Sequence, residues 1–134
     1  MSPLYNSNIT NLNIYRKSLD IFQLSRRVAA YITDDKDVLS MYRSGNKVDN
    51  YADNLVMNSF RLVPKVVEVE TQTSTVTKLK YAKGLLYFID RIYQDCIQLE
   101  ASKINGIDFV RMLRKEIKSL KKIHIKYVNT IIPN

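Results

Sequence analysis

The chain has 134 residues with only three glycines and three prolines, which suits one domain with its own core and argues against a turn-rich sheet protein. Its 21 lysines and arginines outnumber its 13 aspartates and glutamates, and the net charge of +8 favours a polyanionic partner and argues against a cationic substrate. A single cysteine excludes an intramolecular disulfide, and with neither a leader nor about 18 uncharged apolar residues in a row, we expect a cytoplasmic protein without a membrane partner.

Four segments carry apolar residues at spacings of three and four, which is typical of amphipathic helices. They cover about residues 12–32, 51–70, 75–102 and 107–131. Two of the links are short, and the longer one covers residues 33–50. We expect it to be a solvated loop with a short turn, because Asp34, Asp35 and Asp37 lack the ligand spacing of a calcium loop. The pattern therefore predicts a single all-α domain, an antiparallel up-down four-helix bundle spanning residues 1–134.

One proline lies inside the second predicted helix. Pro64 cannot donate a backbone hydrogen bond, and its ring clashes with the carbonyl one turn earlier. We therefore expect either a kink near Phe60 or a break into two segments.

The fourth predicted helix concentrates the positive charge. Eight basic and two acidic residues follow Ser102, which accounts for six of the eight net charges. Five of the cations form one stripe opposite the apolar face, and two more widen it: Arg111, Lys115, Lys118, Lys122 and Lys126, flanked by Arg114 and Lys121. Like charges at this spacing repel, and bound phosphates would offset the repulsion, so the stripe predicts nucleic-acid binding, RNA or DNA. A solvated face that keeps the protein in solution fits the same pattern.

The third predicted helix adds cations around an aromatic residue on its outer side. Lys80, Lys83 and Arg91 flank Tyr87, and Asp90 interrupts them. Cations beside an exposed ring fit a phosphate backbone with a base stacked on the ring, although an exposed tyrosine fits an oligomer contact equally well.

Catalytic parts are missing from the sequence. His124 and Cys96 both fall on apolar helix faces, where a hydrogen-bonded core histidine and a buried thiol are the ordinary outcome. The alternative is a catalytic Cys–His pair from adjacent helices, for which the sequence has no orienting motif. The chain has no phosphate-cradling glycine loop, no zinc-ligand spacing and no di-iron motif, so we expect no enzyme, no cofactor and no metal. Arg26 and Glu70 also fall within apolar arcs, which fits either a buried ion pair or two side chains reaching out to water.

Three local features carry a family resemblance. They are the opening Leu12-Asn13-Ile14-Tyr15-Arg16-Lys17-Ser18, the mid-helix Pro64 after Leu62-Val63, and the step Ala82-Lys83-Gly84. With the order of segments, they resemble the four-helix bundle proteins encoded by intervening sequences of bacterial ribosomal RNA genes and the accessory variability determinants of retroelements. The glycine inside the third helix suggests a close helix contact there. The chain departs from the family at Val66 and Val69, where the family has Asn and Glu.

The resemblance implies a homopentamer with a basic surface that binds nucleic acid, associated with ribosomal RNA or, in the retroelement branch, with a reverse transcriptase. Together with the stripe, it favours a non-catalytic nucleic-acid-binding protein. The alternative is a protein-interaction scaffold whose basic stripe meets an acidic protein partner.

Overall fold

The computed structural model describes residues 7–133, and in that range the protein is all-α with no strand, as predicted. Residues 1–6 and 134, including part of the N-terminal stretch used to predict location, lie outside the described residues. The helices in chain order are α1 (Ser7–Thr10), α2 (Asn13–Ile32), α3 (Val38–Arg43), α4 (Lys47–Phe60), α5 (Leu62–Glu70), α6 (Thr75–Glu100) and α7 (Ile107–Ile131).

Side-chain caps explain where three helices begin. Asp37 accepts a hydrogen bond from the Ser40 amide at the start of α3, and Ser74 accepts one from the Thr77 amide at the start of α6. Asn46 caps α4 by accepting from the amides of Val48 and Asp49. Each such cap stabilises its helix by about 1 kcal/mol. Because of the Asn46 cap, α4 begins four residues before the predicted start, and the predicted loop is shorter than expected.

The predicted second helix is interrupted near Pro64. α4 ends at Phe60 and α5 begins at Leu62, with Arg61 between them at φ −80° and ψ −10°. The Arg61 amide donates to the carbonyl of Asn58 at 3.2 Å, so the last turn of α4 is tightened. Pro64 is the third residue of α5, where a missing amide hydrogen breaks no intrahelical bond. Of the two predicted outcomes, the structure has the break.

The core lies where the long helices meet. α2 packs against α4, α5 and α7, and α6 packs against the same three helices. The largest fully buried side chains, spread over all five long helices, are Ile14, Ile21, Leu55, Leu62, Val66, Leu85, Ile89, Ile92, Leu99, Leu113, Ile117 and Leu120. The apolar faces of α2, α4–α5, α6 and α7 thus build the main core and leave most charged side chains at the surface. A second, smaller cluster contains Ala29, Met41, Ala52 and Val56.

Two glycines behave differently from each other. Gly106, before α7, has φ +89°, and a Cβ atom there would lie 2.6 Å from Cδ1 of Tyr31, so only glycine lets this turn approach α2. Gly84 lies inside α6, and a Cβ atom there would meet no atom of the described part of the chain within 4 Å. The expectation of a close helix contact at Gly84 is therefore wrong.

Candidate nucleic-acid interface

The predicted stripe lies on the outer face of α7, opposite the buried residues of that helix. We call Arg111, Lys115, Lys118, Lys122 and Lys126 the α7 stripe, and all five are exposed. Among the described residues, Lys115, Lys122 and Lys126 make no ion pair, whereas Arg111 lies 3.5 Å from Asp108. At least three cations of the stripe are therefore available to an anionic partner.

The two cations that were expected to widen the stripe point to α6 instead. Arg114 Nε lies 2.6 Å from Oε2 of Glu100, and Lys121 Nζ lies 3.1 Å from Oδ1 of Asp90. Arg111 also reaches Glu100, at 3.7 Å. These acids neutralise part of the positive field on this side of α7. The carboxylates belong to the preceding helix, so the charge pattern of α7 alone did not show the pairing.

The residues predicted on α6 are exposed as expected. We call Lys80, Lys83, Tyr87 and Arg91 the α6 group. Tyr87 is 57% exposed, and its ring meets that of Phe88 edge to face with the centroids 5.2 Å apart. The guanidinium of Arg91 lies 5.9 Å from the Tyr87 centroid, within the range of a cation–π contact. The ring is thus presented to solvent beside a positive charge.

Two further cations, which the sequence pattern did not predict as part of the site, lie beside the α6 group. The guanidinium of Arg61 lies 5.5 Å and the ammonium of Lys65 5.9 Å from the centre of the Phe88 ring. Lys65 also forms a 3.0 Å ion pair with Glu68. Arg61 and Lys65 are four residues apart, and the sequence places both on the outer face of the second predicted helix. The sequence does not show that this face lies beside Phe88 of α6.

A buried carboxyl group lies behind this surface. Asp95 is 7% exposed and accepts a hydrogen bond from Nδ2 of Asn58 at 2.8 Å. Burial raises the pKa of Asp95 from 3.8 to about 6, although the hydrogen bond and the charge of Arg91 act in the opposite direction. Asp95 links α4 to α6 and is not free to bind a cation in solvent.

His124 and Cys96 cannot act as a catalytic pair. His124 is 4% exposed, and its Nε2–H donates to the carbonyl oxygen of Ala82 at 2.9 Å. Ala82 and Cys96 are 14 residues apart on α6, or about 21 Å along the helix. Burial also raises the pKa of the Cys96 thiol to about 12, which keeps it protonated and unreactive.

The Arg26–Glu70 ion pair is absent. Arg26 is exposed, and its guanidinium lies 5.6 Å from the centre of the Phe22 ring. Glu70 accepts a hydrogen bond from the Tyr127 hydroxyl. Burial raises the pKa of this hydroxyl most, and the hydrogen bond to Glu70 raises it further. Of the two alternatives for Arg26, reaching out to water is correct.

Comparisons with protein-family models, with curated proteins and with solved structures find no match, so they assign the chain to no family. None of the helices among residues 7–133 is long and apolar enough to cross a membrane. Over the same residues, no group of three or more His, Cys, Asp or Glu side chains could hold a metal ion.

Proposed function

We propose that the chain is a non-catalytic nucleic-acid-binding protein that contacts phosphates through the α7 stripe. The observation that carries the proposal is the set of Lys115, Lys122 and Lys126, which are exposed, have no ion pair among the described residues and lie on one helix face. The core does not need these side chains. Repulsion between cations of the stripe that are three or four residues apart, such as Lys122 and Lys126, destabilises the helix by a few tenths of a kcal/mol per pair. Phosphates bound along the stripe remove that cost and release counterions.

The proposed architecture is an antiparallel up-down four-helix bundle in which α4 and α5 together take one of the four positions. Contacts between neighbours support opposite directions. From Arg114 to Lys121 along α7, the partners on α6 go back from Glu100 to Asp90. Likewise, Asn58 meets Asp95 and Arg61 meets Phe88, so α4–α5 runs against α6. This arrangement places the α7 stripe and the α6 group on helices that are neighbours.

Binding of RNA and of DNA, measured as a function of salt concentration, tests the nucleic-acid proposal. The triple variant Lys115→Ala, Lys122→Ala and Lys126→Ala should bind more weakly. Its slope of log affinity against log salt should also be shallower by up to about 0.9 per lost phosphate contact. The matched control is Arg27→Ala, Arg43→Ala and Lys47→Ala, which removes the same charge from exposed positions on α2, α3 and α4. Equal slopes for the two triple variants would contradict phosphate binding by the α7 stripe.

The family resemblance extends the proposal to a homopentamer that associates with ribosomal RNA or with a reverse transcriptase. The single cysteine extends it to a cytoplasmic location. Sedimentation of the whole chain measures the assembly directly. A monomer at micromolar concentration would contradict the oligomer.

An alternative function is a protein-interaction scaffold whose basic stripe meets an acidic protein partner, and a second, apolar surface between α2 and α7 offers a further contact for a protein. A cleft of about 290 Å³ there is lined by Leu24, Tyr31, Phe109 and Met112, with the Tyr31 and Phe109 rings 4.9 Å apart. Exposed aromatic and methionine side chains are enriched at protein interfaces. Capture of a protein that survives nuclease treatment and is lost with Phe109→Ser would favour this alternative, whereas loss of the captured protein on nuclease treatment would oppose it.

A further inference from the structure

A cleft of about 520 Å³ lies between α6 and α7, within the size range of small-molecule sites. Its floor is formed by Ile89 and Ile117, which belong to the core. Tyr93 and Gln94 line it from α6, and Lys118 and Lys121 line it from α7. The cleft therefore combines an apolar base, one aromatic ring, one amide, two cations and the carboxylate of Asp90.

The aromatic ring is held in place by the core. Tyr93 is partly buried and packs against the core cluster. This packing holds the ring before a ligand arrives. A ring that is fixed before a ligand arrives loses little conformational entropy when a flat group packs on it.

The two cations are more loosely held than the ring. Lys118 Nζ lies 6.0 Å from the Tyr93 centroid, at the outer limit of a cation–π contact. Lys121 is paired with Asp90, but the side chains are 53% and 51% exposed, and such surface pairs contribute little. Both ammonium groups can therefore turn toward an anion at the mouth of the cleft.

We propose that the cleft between α6 and α7 binds one nucleotide unit, with the base packed on Tyr93 and the apolar floor and the phosphate held by Lys118 and Lys121. The Gln94 amide can both donate to and accept from the edge of a base. For a nucleotide within a bound strand, this inference rests on the proposed function and deepens it. A free nucleotide has the same base and phosphate and could occupy the same cleft.

Removing the charge of Asp90 tests the proposal, because it should increase the affinity for a nucleotide. The Asp90 carboxylate lies in the cleft, repels a phosphate and competes for Lys121. Asp90→Asn should therefore tighten nucleotide binding by about threefold to tenfold, as expected from removing one like charge near the surface. Asp34→Asn, an exposed change of equal charge in the α2–α3 link, is the control. Lys118→Ala should weaken binding, and circular dichroism should show that all three variants keep their helices.

Calorimetry on the whole chain uses five probes: AMP, UMP, inorganic phosphate, a 12-nucleotide single strand and the abasic equivalent of that strand. A free nucleotide is the ligand if AMP or UMP binds more tightly than phosphate and Asp90→Asn tightens it further. A strand nucleotide is the ligand if only the strand binds, if it binds more tightly than its abasic form, and if Asp90→Asn widens the difference.

The proposal is overturned if AMP and UMP bind no better than phosphate and the strand binds no better than its abasic form. It is also overturned if Asp90→Asn behaves like Asp34→Asn. A strand that still binds through the α7 stripe under either result leaves the proposed function intact, so the two failures are distinguishable.

Discussion

Asp95 makes the folding stability depend on pH at the scale of one side chain. Its pKa is about 6 in the folded chain against 3.8 as the ordinary value, because burial disfavours the carboxylate. The folded state therefore holds the proton more tightly, so the contribution of Asp95 to stability is largest below pH 4. That contribution falls as the pH rises from 4 to 6 and stays low above it. Two pKa units correspond to about 3 kcal/mol.

Asp95→Asn should thus stabilise the protein at pH 7 by about 3 kcal/mol and have little effect at pH 4. The amide oxygen of the new side chain can still accept the hydrogen bond from Asn58, so packing is preserved. Urea unfolding between pH 4 and 7 measures the difference, with the exposed Asp20→Asn as the control. A difference that does not change with pH would contradict this account.

Two buried serines also differ in a measurable way. Ser25 and Ser59 are both 0% exposed, but the Ser59 hydroxyl donates to the carbonyl of Val56 at 2.9 Å, whereas the Ser25 hydroxyl has no partner among residues 7–133. Ser25→Ala removes an unsatisfied polar group and gains helix propensity, so it should stabilise the fold by about 1 kcal/mol. Ser59→Ala loses a hydrogen bond, and its free energy of unfolding should not rise. Equal effects in denaturant titrations would show that the Ser25 hydroxyl is satisfied, for example by water.

At the scale of the helices, the two glycines predict effects of opposite sign. Gly84→Ala should stabilise α6 by about 1 kcal/mol, because the site is helical and has free space around it. Gly106→Ala should destabilise by about 1–3 kcal/mol, because φ is +89° and the new methyl group would meet Tyr31. Thermal unfolding of both variants checks the pair of predictions. A loss of stability for Gly84→Ala would revive the close helix contact that the sequence suggested.

Periodicity predicted the long helices because each has a core face that repeats every three to four residues. It placed the start of α4 too late, since the cap at Asn46 is a local feature without periodicity. It also left open whether Pro64 kinks or breaks the second predicted helix. The exposure of the α7 stripe followed from helix geometry, whereas the pairing of Arg114 with Glu100 depends on which helix lies alongside.

For the whole molecule, the net charge of +8 predicts that salt acts on stability and on binding in opposite directions. Sodium chloride screens the repulsion among the cations, as the Debye length falls from about 30 Å at 0.01 M to about 8 Å at 0.15 M. The free energy of unfolding should therefore rise over this range, while affinity for nucleic acid falls as counterion release weakens.

The stripe variant Lys115→Ala, Lys122→Ala and Lys126→Ala should show less of both effects. The control Arg27→Ala, Arg43→Ala and Lys47→Ala lowers the net charge equally but should keep the salt dependence of binding, because its positions lie off α7. Denaturant unfolding and strand binding at matched salt concentrations measure both quantities on the same samples. If the stripe variant loses affinity and gains stability at low salt, the α7 stripe binds the ligand but lowers the free energy of unfolding. If the variant loses affinity without gaining stability, the repulsion assigned to the stripe is absent.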